Sequence, residues 1–185
     1  MGRRADPAAD VVREVRDTLR SLRGVWDEDA VDELDHALQS AWCAAHSPAG
    51  ARGDLEFVVA ALLHDVAHSP LVAGGGHGHE QVAQKWLAVR FGARAGWLAG
   101  AHVVAKRHLA ATEPEYRAAL SPTSVRSLAA QGGSGEVGPE WTGHPWWPDA
   151  LRLRRCDDAA KVPGAFTGGL DWALEQVRLL AERQR

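Results

Sequence analysis

An all-α fold is predicted by three features of the sequence: apolar residues recur at intervals of three and four, no stretch alternates with period two, and glycine or proline clusters separate the periodic segments. The first element spans 8–23, where Val11, Val12, Val15, Leu19 and Leu22 share one helix face and Pro7 supplies a start signal. A second helix over 29–46 repeats the pattern in Val31, Leu34, Leu38, Ala41 and Trp42, stops at Ser47-Pro48-Ala49-Gly50, and carries His36. Leu55 to His68 is almost wholly apolar until His64-Asp65, which reads as a buried helix delivering polar groups from its C-terminal end. Beyond the loop Gly74-Gly75-Gly76, helices are predicted over 79–91 and 93–109, with Pro114 marking the following turn. Residues 131–148, glycine-rich and holding three prolines and three tryptophans, read as an irregular loop, of a length that is usually functional or mobile in a compact domain. A last helical pair covers 149–162 and 170–183, split by Pro163-Gly164 and Gly168-Gly169.

At 185 residues the chain suits a single domain, 1–185, with a substantial core. Its 21 basic and 24 acidic residues nearly cancel, so no field of one sign argues for a nucleic-acid or membrane partner. The only cysteines, Cys43 and Cys156, lie far apart without CxxC spacing, which suggests neither a disulfide framework nor a thiolate zinc site and fits a reducing compartment. No stretch approaches the roughly 20 apolar residues of a membrane span. The opening MGRRADPAADVVREVRDTLR has no signal-peptide core, so a cytoplasmic location is expected. Nine histidines are the compositional feature that asks for a chemical explanation.

The central signal is the His64-Asp65 pair. Burying two such groups at the end of an apolar run is costly unless a metal or partner compensates. Adjacent helical residues point about 100° apart, so both reach one ion only from a helix end or a bent turn. Alone, the dipeptide reads as readily as a cap or surface pair. Its company is what points to a metal: His36 precedes it, His79 and His102 follow, and Asp157 closes the set, each on a separate helical segment. Imidazoles and carboxylates converging from different helices are how bundles build two-metal sites, and this donor set suits iron, manganese or zinc.

The segments LDHALQSA (34–41), ALLHDVAH (61–68), HEQVAQKWL (79–87), HVVAKRHL (102–109), SPTSVRSLAAQGG (121–133) and LRLRRCDDAAK (151–161) occur in this order. Between about residues 26 and 166 the chain resembles the PhnZ and TmpB type of HD-domain mixed-valence di-iron oxygenase, distant relatives of myo-inositol oxygenase that cleave the carbon–phosphorus bond of 1-hydroxyphosphonates. The resemblance implies two irons in the Fe(II)/Fe(III) state with dioxygen as co-substrate. One iron would be held by His36, His64 and Asp157, the other by His79 and His102, with Asp65 bridging. Asp157 is preferred to Asp158 because Lys161 follows it by four residues, and His79 to His77 because Glu80 and the KWL block align with it. The same resemblance places His68, Lys106, Ser127, Gln131 and Arg154 around the phosphonate, and makes His64, Asp65 and Lys106 the catalytic set. It also implies functional coupling to a 2-oxoglutarate-dependent hydroxylase that makes the 1-hydroxyphosphonate.

Two positions depart from the pattern. Trp26 and Asp29 stand where the family has tyrosine and glutamate, and an indole, which offers one N–H and no metal-binding oxygen, implies a reshaped substrate-tail pocket. Cys156 replaces a tryptophan. His46, His77, His108 and His144 are expected to be solvated or loop histidines. The alternative to an oxygenase is an HD phosphohydrolase, whose His-Asp core activates water against a nucleotide or phosphomonoester. The presence of both His79 and His102, with the HVVAKR and QGG blocks, argues against it. A non-catalytic helical binding module would require six ligands in family order by coincidence.

Overall fold

The computed structural model describes residues 6–27, 30–47, 53–72 and 78–184. Among these residues the regular structure is helical throughout, and no helix is long and apolar enough to cross a membrane. Helix α1 (Pro7–Ser21) begins at Asp6, whose side chain accepts from the Ala8 N–H, and it buries Val15 and Leu19. Helix α2 (Glu33–His46) starts later than the periodicity predicts, because Asp32 is its N-cap. The Asp32 carboxylate accepts from the N–H groups of Asp35 and Gly24 and pairs with Arg23, so one side chain fixes both the helix start and the connection leading to it.

Helix α3 (Leu55–Leu63) is the centre of the core: every residue except Glu56 is buried, and Asp54 caps it by accepting from Phe57. It stops at Leu63 rather than running to 68; His64 is its C-cap and a single 3₁₀ turn covers Val66–His68. Helices α4 (His79–Phe91) and α5 (Ala93–Thr112) form a close antiparallel pair about Gly92, whose φ of 89° requires glycine at the corner. Their approach depends on small residues: a Cβ on Gly96 would lie 2.6 Å from the Gln84 carbonyl oxygen, and one on Gly100 would lie 2.5 Å from Gln84 Oε1.

Three short helices follow: α6 (Pro114–Ala119), α7 (Pro122–Ala130) and α8 (Pro139–Thr142). The segment 131–148 is therefore only partly irregular. It is pinned by Trp97, on which His144 stacks at 4.0 Å with Trp141 and Trp146 alongside. His144 is a loop histidine, as expected, but half-buried against tryptophan; His108 lies on α5 and meets Trp147 edge-on, while His46 is exposed and His77 lies outside the described residues. Helix α9 (Trp147–Ala159) packs on α2 and α5, and α10 (Gly169–Arg183) closes the bundle against α1 and α3. At the opposite end of α3 from His64, Arg94 joins Asp54 (2.7 Å) and Asp149 (2.8 Å), so one guanidinium ties the starts of α3, α5 and α9 together.

Candidate metal centre

The end of α3 explains how neighbouring residues face one centre. His64 keeps helical dihedrals, whereas Asp65 leaves the helix at φ −105°, ψ 21°, and this bend brings His64 Nε2 to 3.2 Å from Asp65 Oδ2. The two oxygens of Asp65 then look opposite ways. Oδ2 lies 3.7 Å from His36 Nε2, and Oδ1 lies 3.5 Å from His102 Nε2 and 3.7 Å from His79 Nε2. Asp157 completes the first side, with Oδ1 at 3.6 Å from His36 Nε2 and Oδ2 at 3.3 Å from His64 Nε2. On the second side His79 and His102 bring their Nε2 atoms to 3.2 Å.

The imidazoles are aimed from behind. His36 Nδ1 bonds the Ala160 carbonyl at 3.0 Å, His64 Nδ1 that of Ala61 at 2.9 Å, and His102 Nδ1 that of Ala99 at 2.6 Å. A ring that donates from Nδ1 to a carbonyl presents a lone pair at Nε2, the tautomer a metal needs. His79, the first residue of α4, has only Glu80 near Nδ1, at 3.7 Å, and its side chain is 28% exposed. Asp65 Oδ1 is buried with no hydrogen-bond partner, an arrangement that a cation would relieve. The triplets His36, His64, Asp65 and Asp65, His79, His102 each bring three ligand atoms within 4.8 Å of one another, so the residues fit two ions sharing Asp65.

Burial and mutual charge set the protonation states. Burial pulls His102 down to about 3 and lowers His36, leaving both neutral at physiological pH. Burial acts against His64 as well, but Asp65 and Asp157 outweigh it and raise the ring well above its ordinary value. Burial would raise Asp157, yet Arg154 and then His64 hold it well below the usual carboxylate range. Burial also works to raise Asp65, where His64 prevails.

The doublet at 157–158 divides by direction. Asp157 faces His36 and His64, while Asp158 turns to Arg154, Tyr116 and Lys161. Arg154, 3% exposed, spends its donors on this pair: Nη1 reaches Asp157 Oδ2 at 2.7 Å and Nε reaches Asp158 Oδ2 at 2.9 Å. Beside it Lys106 Nζ, buried on α5 one turn beyond His102, donates to Ser127 Oγ at 2.8 Å, and Lys161 Nζ donates to Ser124 Oγ at 2.8 Å. Burial, then Arg154, lowers Lys106 to about 8. These groups, with His68 and Gln131, line one cleft over the histidines.

The structure also brings residues there that sequence reasoning missed. Asp27, Glu33 and Ser124 line the cleft. Glu33 is 2% exposed, has Oε2 without a partner, and is pushed up to about 9 by burial and then by Asp65. Its spacing of three from His36 puts both on one face of α2, a signal visible in DELDH once the helix start is known. Trp26 is 61% exposed and outside the cleft wall, and Asp29 lies outside the described residues.

Histidines and aspartates gathered from five helical segments of an all-α bundle around a His-Asp dipeptide define an HD-domain protein. No protein-family model matches the chain. Hydroxymethylphosphonate dioxygenase of Gimesia maris is 35% identical over 148 residues, covering 74% of this chain and 71% of that protein. [1-Hydroxy-2-(trimethylamino)ethyl]phosphonate dioxygenase (glycine-betaine-forming) of Leisingera caerulea is 32% identical over 142 residues, covering 72% and 70%. Protein L432 of Acanthamoeba polyphaga mimivirus is 30% identical over 151 residues, covering 76% and 67%. The chain belongs to the PhnZ-type family of phosphonate dioxygenases.

Proposed function

We propose that this protein is a di-iron oxygenase that uses dioxygen to convert a 1-hydroxyphosphonate into a carboxylic acid and phosphate. The observation that carries the reading is Asp65, one carboxylate whose two oxygens face two separate histidine sets beneath a cleft rimmed by Lys106, Arg154 and Lys161. Two irons, held by His36, His64 and Asp157 on one side and His79 and His102 on the other, would supply Lewis acidity and the electron capacity for dioxygen reduction. The reaction balances without an external reductant. R–CH(OH)–PO₃H₂ plus O₂ gives R–COOH plus H₃PO₄, and the four electrons leaving the substrate equal those that dioxygen takes up.

The chain's own residues position the substrate. Lys106 is the cation best placed to neutralise a phosphonate oxygen, because its ammonium is buried and already oriented by Ser127. Gln131, whose Oε1 is buried without a partner, and His68 provide polar contacts at the cleft. Arg154 acts differently from a simple anion clamp: with its guanidinium committed to Asp157 and Asp158, it adds positive field while fixing the Asp157 carboxylate. Asp27 supplies negative charge to the same cleft, the polarity that a cationic substrate tail would meet, beside the buried Glu33 carboxyl. In this reading a 2-oxoglutarate-dependent enzyme installs the 1-hydroxyl beforehand, and both steps take place in the cytoplasm. The test is anaerobic purification, metal quantitation and phosphate release from a panel of 1-hydroxyphosphonates. Release should require dioxygen and stop without it; equal release under strict anaerobiosis would identify hydrolysis instead.

A further inference from the structure

We propose that Gln39 is a positioning residue for both the metal centre and the cleft: by clamping the backbone of Val162 it holds the Ala160 carbonyl against His36 and aims Lys161 into the cleft. The clamp is a reciprocal pair of hydrogen bonds. Gln39 Oε1 accepts from the Val162 N–H at 3.0 Å, and Gln39 Nε2 donates to the Val162 carbonyl at 2.9 Å. A carboxamide can serve both groups of one residue in only one orientation, so the side chain is fixed along with the backbone it holds. Gln39 is buried on α2, three residues after His36 and on the same helix face.

What Gln39 holds is the strap 160–162, which leaves the end of α9 and lies outside regular secondary structure, so its course is set by what it touches. It meets α2 at two residues: the Ala160 carbonyl accepts from His36 Nδ1 at 3.0 Å, and Val162 carries the clamp. Lys161 stands between them. With the residues on either side fixed, its side chain is committed to the cleft, where Nζ donates to Ser124 Oγ at 2.8 Å and lies 3.7 Å from Asp158 Oδ1. Val162 is 55% exposed, so without Gln39 water can serve its backbone groups and the strap is released at little polar cost. Geometry is what would be lost. A ring whose Nδ1–H has no fixed acceptor no longer presents Nε2 in a fixed direction, and an unanchored lysine no longer offers its charge at one place. The inference rests on the reading of His36 as a metal ligand and of the cleft as a phosphonate site.

The experiment compares the zinc-loaded full chain with Gln39→Met, which keeps the length and lacks both polar atoms, and with Gln39→Glu, which keeps the acceptor and lacks the donor. By NMR, exchange of the Val162 amide should speed up by about tenfold or more in Gln39→Met, and the protected His36 Nδ1–H signal should disappear. Neither readout depends on turnover. In chelator competition the ion that His36→Ala releases should bind about tenfold more weakly in Gln39→Met, with its neighbour unchanged. Binding of methylphosphonate, which has no 1-hydroxyl to oxidise, should weaken severalfold, and no further when Gln39→Met is added to Lys161→Met. Gln39→Glu should fall between native and Gln39→Met, and it decides the matter if Gln39→Met folds poorly. A lower melting temperature with the His36 proton, metal affinity and methylphosphonate binding all unmoved would make Gln39 a purely structural residue and overturn the proposal. If the native chain binds no methylphosphonate while the NMR and metal results are as expected, the clamp stands and the phosphonate reading fails.

Discussion

The two sides of Asp65 are built differently. On the first, His36, His64 and Asp157 have side chains no more than 5% exposed, both rings are anchored to backbone carbonyls, and Asp157 is locked by Arg154. On the second, His102 is anchored in the same way, but His79 sits at the first turn of α4 after Gly78, which gives no side-chain cap, and has only the partly exposed Glu80 behind it. A rigid cradle faces an adjustable one. Cost explains the division: a fully buried charge set is stable only when every member is paired, and the paired side has spent its freedom on Arg154 and Asp158. In the proposed reaction the side with slack is the one that would accommodate a change of ligands as substrate arrives.

Removing what the two sides share should produce the largest effect. Asp65→Ala is expected to lose most of the bound metal from both sides and abolish phosphate release, measured by metal analysis and end-point assay; wild-type metal occupancy in this variant would show that Asp65 does not bridge. The next experiment separates the sides. Arg154→Lys cannot pair with Asp157 and Asp158 through a planar fork, so metal affinity on the first side should fall about 10- to 100-fold. Glu80→Gln, behind the loosely held His79, should change affinity far less. Equal losses in chelator competition would erase the proposed asymmetry.

Lys106 gives a smaller, pH-dependent effect. Its ammonium is lowered to about 8, so the cation is present below that pH and disappears above it. Because kcat/KM reports the free enzyme, it should decline as pH rises through about 8, by up to about tenfold per unit. Lys106→Arg, which stays charged, should move that limb upward even if its absolute rate is lower. An unchanged alkaline limb in the arginine variant would assign the titration to another group.

How much of this was legible beforehand follows from the physics of each residue. Helices α1 to α5, α9 and α10 and their order could be read from recurring apolar residues, whereas α6, α7 and α8 could not: α6 starts at Pro114, which reads as a turn, and neither α6 nor α8 buries a residue. His64-Asp65 at a helix end could be read because buried adjacent polar groups demand a bend. What failed was anything set by tertiary contact. Asp32 shortens α2 only because Gly24 and Arg23 come back to it. Arg154 lines the cleft, but its guanidinium is occupied by Asp157 and Asp158 and, from α6, by Tyr116. His144 and the tryptophans hold the segment after α7 by stacking, which has no sequence period. Glu33 stands in the first turn of α2, where an acid is ordinarily favoured and exposed, and only the fold shows it buried.

Glu33 provides the last and smallest prediction, on the rigid side of the centre one turn before His36. Burial and Asp65 push its carboxyl up to about 9, while an unfolded chain would titrate near the ordinary value of 4.5. Between those limits folding takes up a proton, so the stabilising contribution is complete below about 4.5 and is lost progressively as pH rises toward 9. Glutamine imitates the protonated acid and cannot titrate. Metal-free Glu33→Gln should therefore melt close to the native protein at pH 5 and several degrees above it at pH 8, given roughly 2–4 °C per kcal/mol for a chain of this size. Metal bound beside Asp65 cancels part of the negative charge that raises Glu33, so the gap should narrow in the loaded protein. A difference that stays constant from pH 5 to 8 would mean that Glu33 is ionised throughout in the fold, and that this side of the cleft holds a standing negative charge.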